Sequence, residues 1–243
     1  MSILVFEHEQ DFGPSRLGRV LNQYGHRLNI ARLWAGDACP PDLDDVQAVV
    51  SLGGVLPMTE ALKAPWHAGE STLIKAAHQR DLPVVGVGTG SLIVAAALGG
   101  VVGPLTAGAS EIGWREAKMS FAGTVDPILS GQPWKSMQFV WQSEQVTKPP
   151  AGGAGLSGTK LCRMLMWRAG VRTYGFQQPF ELDSADIQRL SQRHAGLRQA
   201  AGLTHDQLMV ATREFMPGFD RLGERLCRCL ADYLLAPPLR RCS

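Results

Sequence analysis

Between Leu82 and Gly100 the chain reads LPVVGVGTGSLIVAAALGG: a short apolar run, a glycine-dense turn and an alanine-rich segment that closes on paired glycines. Val84, Val85 and Val87 are β-branched and uninterrupted by polar residues, the pattern of a strand buried on both faces of a parallel sheet. Gly86, Gly88 and Gly90 let the backbone turn where a Cβ would clash, and Leu92 through Leu98 supply helix formers until Gly99 stops them. Strand, sharp turn and helix in this order present the middle residue of the turn at the top of a sheet, beside the N–H groups that open the helix. In a hydrolase that residue is the nucleophile. Here it is Gly88.

The rest of the chain supplies the layers that such a corner needs. Ile3–Phe6 reads as a first strand, and a helix capped by Ser15 follows with Leu17, Val20, Leu21 and Tyr24 as its apolar stripe, closed by Gly25. Leu28–Leu33 and Ala48–Leu52 are two further strands, and Ser71–Arg80 is a helix with Leu73, Ile74 and Ala77 facing inward. Strands alternating with helices imply a parallel sheet with crossovers. Met137–Trp141 and Lys160–Met166 read as strands, with a proline- and glycine-rich surface connection over 149–158 between them. From about Asp186 the pattern is helical. Thr204 with Gln207 spells a capping box, Phe219, Leu222, Leu226, Leu230 and Tyr233 form a stripe, and Pro237 and Pro238 end the helix.

Composition narrows the function classes. The 243 residues carry a net charge of +2, with 45% hydrophobic and 19% charged residues. That balance gives no strong field for nucleic acid or a membrane surface. No apolar run reaches the roughly 18 residues of a membrane span, and the N-terminus lacks a signal-peptide layout, so the expected location is the cytoplasm. Cys39, Cys162, Cys227, Cys229 and Cys242 are odd in number and lack framework spacing; they read as free thiols, with Cys162 inside a core strand. Cys227 and Cys229 point to different faces of a helix, so no metal site is expected. Arg240 and Arg241 are too few to make a basic patch.

Residues Gly86–Gly100, GVGTGSLIVAAALGG, resemble the nucleophile elbow of class I glutamine amidotransferases, in which Gly-Ile-Cys-x-Gly-His/Ala-Gln precedes Leu-Leu-Ala-x-Ala-Leu-Gly-Gly. In that frame the family's cysteine falls on Gly88 and its glutamine-pocket Gln on Leu92. Gly53 and Gly54 resemble the Leu-Gly-Gly-Pro turn whose N–H groups form the oxyanion hole, although Val55 and Leu56 intervene before Pro57. Glu111, Ile112, Gly113 and Trp114 match a Glu-Ile-Gly-Trp segment. Trp141, Gln142, Ser143 and Glu144 stand where Trp-His-Gly-Asp is usual. Gly175, Phe176 and Gln177 match the start of Gly-x-Gln-Phe-His-Pro-Glu, whose glutamate is Glu181, while its histidine falls on Pro179, or on Gln178 with a one-residue shift.

The resemblance implies a flavodoxin-like, three-layer α/β fold: a mostly parallel sheet with helices on both faces, a small β-rich segment and C-terminal helices. Residues 1–185 form the amidotransferase-like domain and 186–243 a helical appendage packed on it, similar to stand-alone relatives of the glutaminase portion of GMP synthase. The chemistry needs a thiolate, a histidine and a carboxylate. Glu181 alone remains in place, and neither Pro179 nor Gln178 is a base. Losing a nucleophile costs on the order of 10⁶ in rate in a serine protease.

The expectation is therefore a pseudoenzyme that binds a small ligand or serves as a regulatory or scaffold subunit, needing no cofactor. Gly53, Gly54, Gly88, Thr89, Gly90 and Ser91 are the candidate ligand-binding residues, with a small anion at the helix-start N–H groups. A dinucleotide reading of GVGTGS fails because Ser91 stands where GxGxxG needs glycine. The competing enzyme reading uses Thr89 or Ser91 as nucleophile with His8 as base. A stripe left exposed on the last helix implies a homodimer.

Overall fold

The computed structural model describes residues 1–10, 12–105 and 110–236. The expected endings at Pro237, Pro238, Arg240, Arg241 and Cys242 lie outside them. In chain order the elements are β1 (Ser2–Glu7), α1 (Ser15–Gln23), β2 (Leu28–Arg32), β3 (Val46–Leu52), α2 (Met58–Ala61), α3 (His67–Gln79), β4 (Val84–Val87), α4 (Thr89–Ala97), β5 (Val101–Pro104) and β6 (Glu111–Met119). Then come α5 (Phe121–Thr124), β7 (Lys135–Gln142), β8 (Glu144–Lys148), β9 (Ala154–Gly158), β10 (Met166–Ala169), β11 (Thr173–Phe176), α6 (Ser184–Arg193), α7 (Ala195–Ala200) and α8 (His205–Cys229).

Nine strands form one sheet in the order β2-β1-β3-β4-β11-β10-β9-β6-β7, and β5 pairs β8 in a separate ribbon. The half from β2 to β11 is parallel, and the half from β11 to β7 is antiparallel. One face buries Ile3, Val5 and Val50 against Leu17, Val20 and Leu21 of α1, Ile187 of α6 and Phe219 of α8. The other buries Leu4, Phe6 and Val49 against Leu73 and Ile74 of α3 and Ile93 and Val94 of α4. The β-branched runs of β3 and β4 are covered on both sides, as parallel strands must be. This is the expected three-layer α/β fold.

The helical C-terminal portion opens at Asp183, whose side chain accepts from the Asp186 N–H while Asp186 returns the bond. Its apolar residues belong to the same core as α1 and the sheet. Thr204 and Gln207 make the capping box read from the sequence.

Several local expectations are corrected. Ser15 gives α1 no cap; its Oγ donates to Asp186 Oδ2 at 3.0 Å, tying α1 to α6. Tyr24 and Tyr233, placed on apolar stripes, are exposed. Residues 154–158, read as loop because of their glycines, are β9, whereas 160–165 are turn rather than strand. Cys162 is buried there all the same, and burial pushes its thiol up to about 12. Cys39, Cys162, Cys227 and Cys229 are free thiols.

A buried polar chain ties β1, β3 and α3. His8 Nδ1 donates to the Leu52 carbonyl at 2.6 Å, His8 Nε2 meets Glu70 Oε2 at 2.8 Å, and Ser51 Oγ donates to Glu70 Oε1 at 2.7 Å. Burial opposes a charge on His8, but the Glu70 carboxylate outweighs it and raises the imidazole pKa. Both side chains are wholly buried, so removing one partner strands the other. Glu70→Ala is expected to lower stability by about 3–5 kcal/mol in urea unfolding; a change under about 1 kcal/mol would show that the pair is dispensable.

Candidate functional site

Register builds the site. Leu52, Val87 and Phe176 are partners across β3, β4 and β11, so the residues that follow them, Gly53, Gly88 and Gln177, emerge side by side at the carboxyl edge of the sheet. That edge is where α/β folds collect ligands. The Gly53 N–H donates to the Val87 carbonyl at 2.9 Å and the Gly88 N–H to the Phe176 carbonyl at 2.8 Å.

Gly88 has φ 58° and ψ −131°, immediately before α4. That is the strained strand-to-helix corner read from the sequence, in a region glycine enters freely. A Cβ added there would lie 2.6 Å from the Gly53 carbonyl oxygen. Gly53 in turn lies against the start of α4: a Cβ on it would meet Thr89 N at 2.7 Å. The two glycines therefore close backbone against backbone.

The loop after β3 turns its carbonyl oxygens toward the corner. Thr89 Oγ1 donates to the carbonyls of Gly54 at 3.2 Å and Leu56 at 2.9 Å. Two of the loop's N–H groups are engaged elsewhere: Val55 N donates to Glu9 Oε2 at 2.9 Å, and Met58 N to Glu144 Oε2 at 2.8 Å. The candidate ligand-binding residues Gly53, Gly54, Gly88, Thr89, Gly90 and Ser91 are thus brought together, but Gly53, Val55 and Met58 aim no N–H at Gly88. Ser91 N and Ser91 Oγ both donate to the Gly88 carbonyl.

His8, the base of the competing enzyme reading, is not joined to either hydroxyl. Both of its ring nitrogens are engaged by Leu52 and Glu70, and the Thr89 and Ser91 hydroxyls donate to backbone carbonyls. Beside the corner lies a cavity of about 30 Å³, lined among others by Leu56, Gly88, Leu92, Trp141, Gln142 and Gln177. This is one water's share of bulk volume, well below the roughly 300 Å³ where ligand pockets begin. Gln177 is fully engaged: its Nε2 donates to Glu144 O and Gln142 Oε1, and its Oε1 accepts from Val146 N.

Gln178 and Glu181 sit in the interior. Gln178 is wholly buried with neither amide atom bonded, and Glu181 buries Oε2 without a partner. Burial first, then the nearby Asp186 charge, pushes the Glu181 carboxyl up to about 8, against the lowering effect of its own backbone N–H and of Arg16. A carboxyl raised that far favours its protonated form at neutral pH. Sequence reasoning missed Glu9 and His194. His194 Nε2 lies 2.8 Å from Glu9 Oε1, and the His194 ring sits edge-on to Trp141 at 6.3 Å. Glu9 therefore links the end of α6 to the loop at Val55. Neither stands out locally, since Glu9 lies among Glu7, His8 and Gln10 and His194 follows Gln192 and Arg193.

Two variants test this interior. Gln178→Met removes two unpaired polar atoms at similar volume and is expected to raise stability by about 1–3 kcal/mol in urea; a loss would mean the amide has a partner. The raised Glu181 pKa makes the native state bind more protons than the unfolded chain, so its contribution is full below about pH 4.5 and fades as pH rises through about 8. Glu181→Gln is expected to match the parent near pH 5 and to exceed it at pH 9 by on the order of 4 kcal/mol, since each tenfold difference in proton affinity is worth about 1.4 kcal/mol. Parallel pH–stability curves would refute the raised value.

No family model matches the chain. Over 218 residues it is 25% identical to the glutamine amidotransferase-like protein YfeJ of Salmonella typhimurium, an alignment covering 87% of this chain and 88% of the relative. A solved glutamine amidotransferase from Thermotoga maritima superposes with TM-score 0.82 at 17% identity, covering 96% of this chain and 98% of the other. One from Methylobacillus flagellatus superposes with TM-score 0.84 at 19% identity, covering 99% and 98%. The chain has the class I glutamine amidotransferase-like fold.

Proposed function

We propose that this chain is a glutamine amidotransferase-like protein that does not turn over glutamine and instead works as a binding or regulatory subunit. The observation that carries this reading is the closed corner: Gly88 offers no side chain, and the Gly53 carbonyl occupies the space a Cβ would need. A thioester mechanism needs a thiolate there, a base within hydrogen-bond reach and donors aimed at the oxyanion. Carbonyl oxygens of Gly53 and Gly54 stand within 4 Å of where a Gly88 Cβ would lie, and the N–H groups of Gly53, Val55 and Met58 are taken up elsewhere. The neighbouring cavity has no room for glutamine. An anion at Gly53, Gly54 and Gly88–Ser91 would have to use N–H groups other than those of Gly53, Gly88 and Ser91, which are already bonded to backbone carbonyls.

The competing reading, an enzyme using Thr89 or Ser91, requires each hydroxyl to leave its carbonyl partners and find a base. Ammonia release from glutamine by the purified chain separates the two. The expected result is no turnover above a protein-free control, with Thr89→Ala and Ser91→Ala indistinguishable from the parent. Turnover that either substitution abolishes would overturn the reading. Gly88→Cys is expected to destabilise the fold by about 1–3 kcal/mol, from its left-handed φ and the Gly53 contact, and to leave glutamine untouched.

A further inference from the structure

A larger cavity, of about 670 Å³, lies where the antiparallel half of the sheet splits. β6 pairs with β7 along nearly its whole length but meets β9 only at Lys118–Gly158 and Met119–Ser157. Toward Glu111 the strands part, and a side chain replaces the ladder: Thr159 Oγ1 donates to Glu111 Oε2 at 2.7 Å. Arg115, Lys118, Lys160 and Arg163 line the opening, with Glu111 and Glu116 as the acidic residues.

The cations are not internally neutralised. Glu116 is shared by Lys118 and Lys135. Glu111 is 1% exposed and has Oε2 held by the neutral donors Thr159 and Gln142. Among the described residues Arg115, Lys160 and Arg163 have no carboxylate within ion-pair distance. Three uncompensated cations around a volume in the small-molecule range fit a ligand with several anionic oxygens. We propose that this cavity binds a small molecule carrying two or more oxyanion groups, a polyphosphate or a polycarboxylate, on Arg115, Lys160 and Arg163.

The site lies apart from the elbow yet is joined to it. Glu111 Oε2 accepts from Gln142 Nε2 at 3.1 Å, and Gln142 Oε1 accepts from Gln177 Nε2 at 3.3 Å; both glutamines line the elbow cavity. The inference does not require the elbow to be inactive.

Titration calorimetry of the full chain with inorganic pyrophosphate and, separately, citrate tests it. Saturable binding of at least one anion is expected, weakened at least about tenfold by Lys160→Glu and by Arg163→Glu. Lys75→Glu, on the exposed side of α3, is expected to leave the affinity unchanged. A preference for pyrophosphate identifies a phosphate ligand and a preference for citrate a carboxylate one. Lys160 and Arg163 are exposed, so the variants should fold, and Arg163→Gln gives a milder second test. No binding of either anion at millimolar concentration, or affinity insensitive to both reversals, overturns the proposal. Equal weakening by Lys75→Glu overturns it too, because the attraction would then be only the general field of the surface.

Discussion

Two peptides pressed together, those of Gly53 and Gly88, set the character of this molecule. Parallel strands in register deliver both glycines to the same edge of the sheet, and with no Cβ on either the loop settles directly onto the start of α4. That closeness fixes the polarity of the corner. Thr89 captures two loop carbonyls, while the Val87 carbonyl, Glu9 and Glu144 take the N–H groups of Gly53, Val55 and Met58. A catalytic elbow stabilises developing negative charge with fixed donors. Here the Gly53 carbonyl stands where a Gly88 Cβ would lie, so the bare corner and the seating of the loop are two aspects of one packing arrangement.

The fold was legible because its signals are local and repeated. Val84–Val87 needs only composition to be a doubly buried strand, and Thr204 with Gln207 needs only spacing to be a cap. What was illegible depends on partners distant in sequence. Glu9 and His194 come from opposite ends of the chain, and neither belongs to a periodic pattern. Ser15 looks like a cap by residue type, yet Asp186 outcompetes the backbone for its hydroxyl. Residues 154–158 carry turn-forming glycines and still form β9, because β10 presents a ladder that the local composition does not reveal. At the site, the absence of cysteine at Gly88 was readable directly, while the inward carbonyls were not. Peptide orientation depends on which of several donors wins each oxygen.

Burial without partners recurs around the elbow. Gln178, the Glu181 Oε2 and the Trp141 Nε1 lie inside without hydrogen bonds from the protein. Such groups cost free energy, about 1–3 kcal/mol each, and in natural proteins they mark places where stability has not been the sole criterion. Glu181 resolves its situation by holding its proton, which removes the charge that burial penalises.

Opening the elbow to a ligand would require several contacts to yield together. The loop is held by Thr89 within, by Glu144 across the cavity and by Glu9 from outside; Glu9 is held by His194, whose neighbour Arg193 donates to the Gln10 carbonyl. Contacts from the end of α6 thus reach the loop through Glu9. A ligand that needs a rarely populated open form loses affinity in proportion to that population. The cavity between β6 and β9 bears no such penalty, since its strands are already apart and its cations already unpaired. A signal arriving there meets Glu111, and from Glu111 the hydrogen-bonded path through Gln142 and Gln177 leads to the wall of the closed corner. The cavity and the corner thus share a hydrogen-bonded wall, and of these two the cavity is the one that stands open in the folded chain.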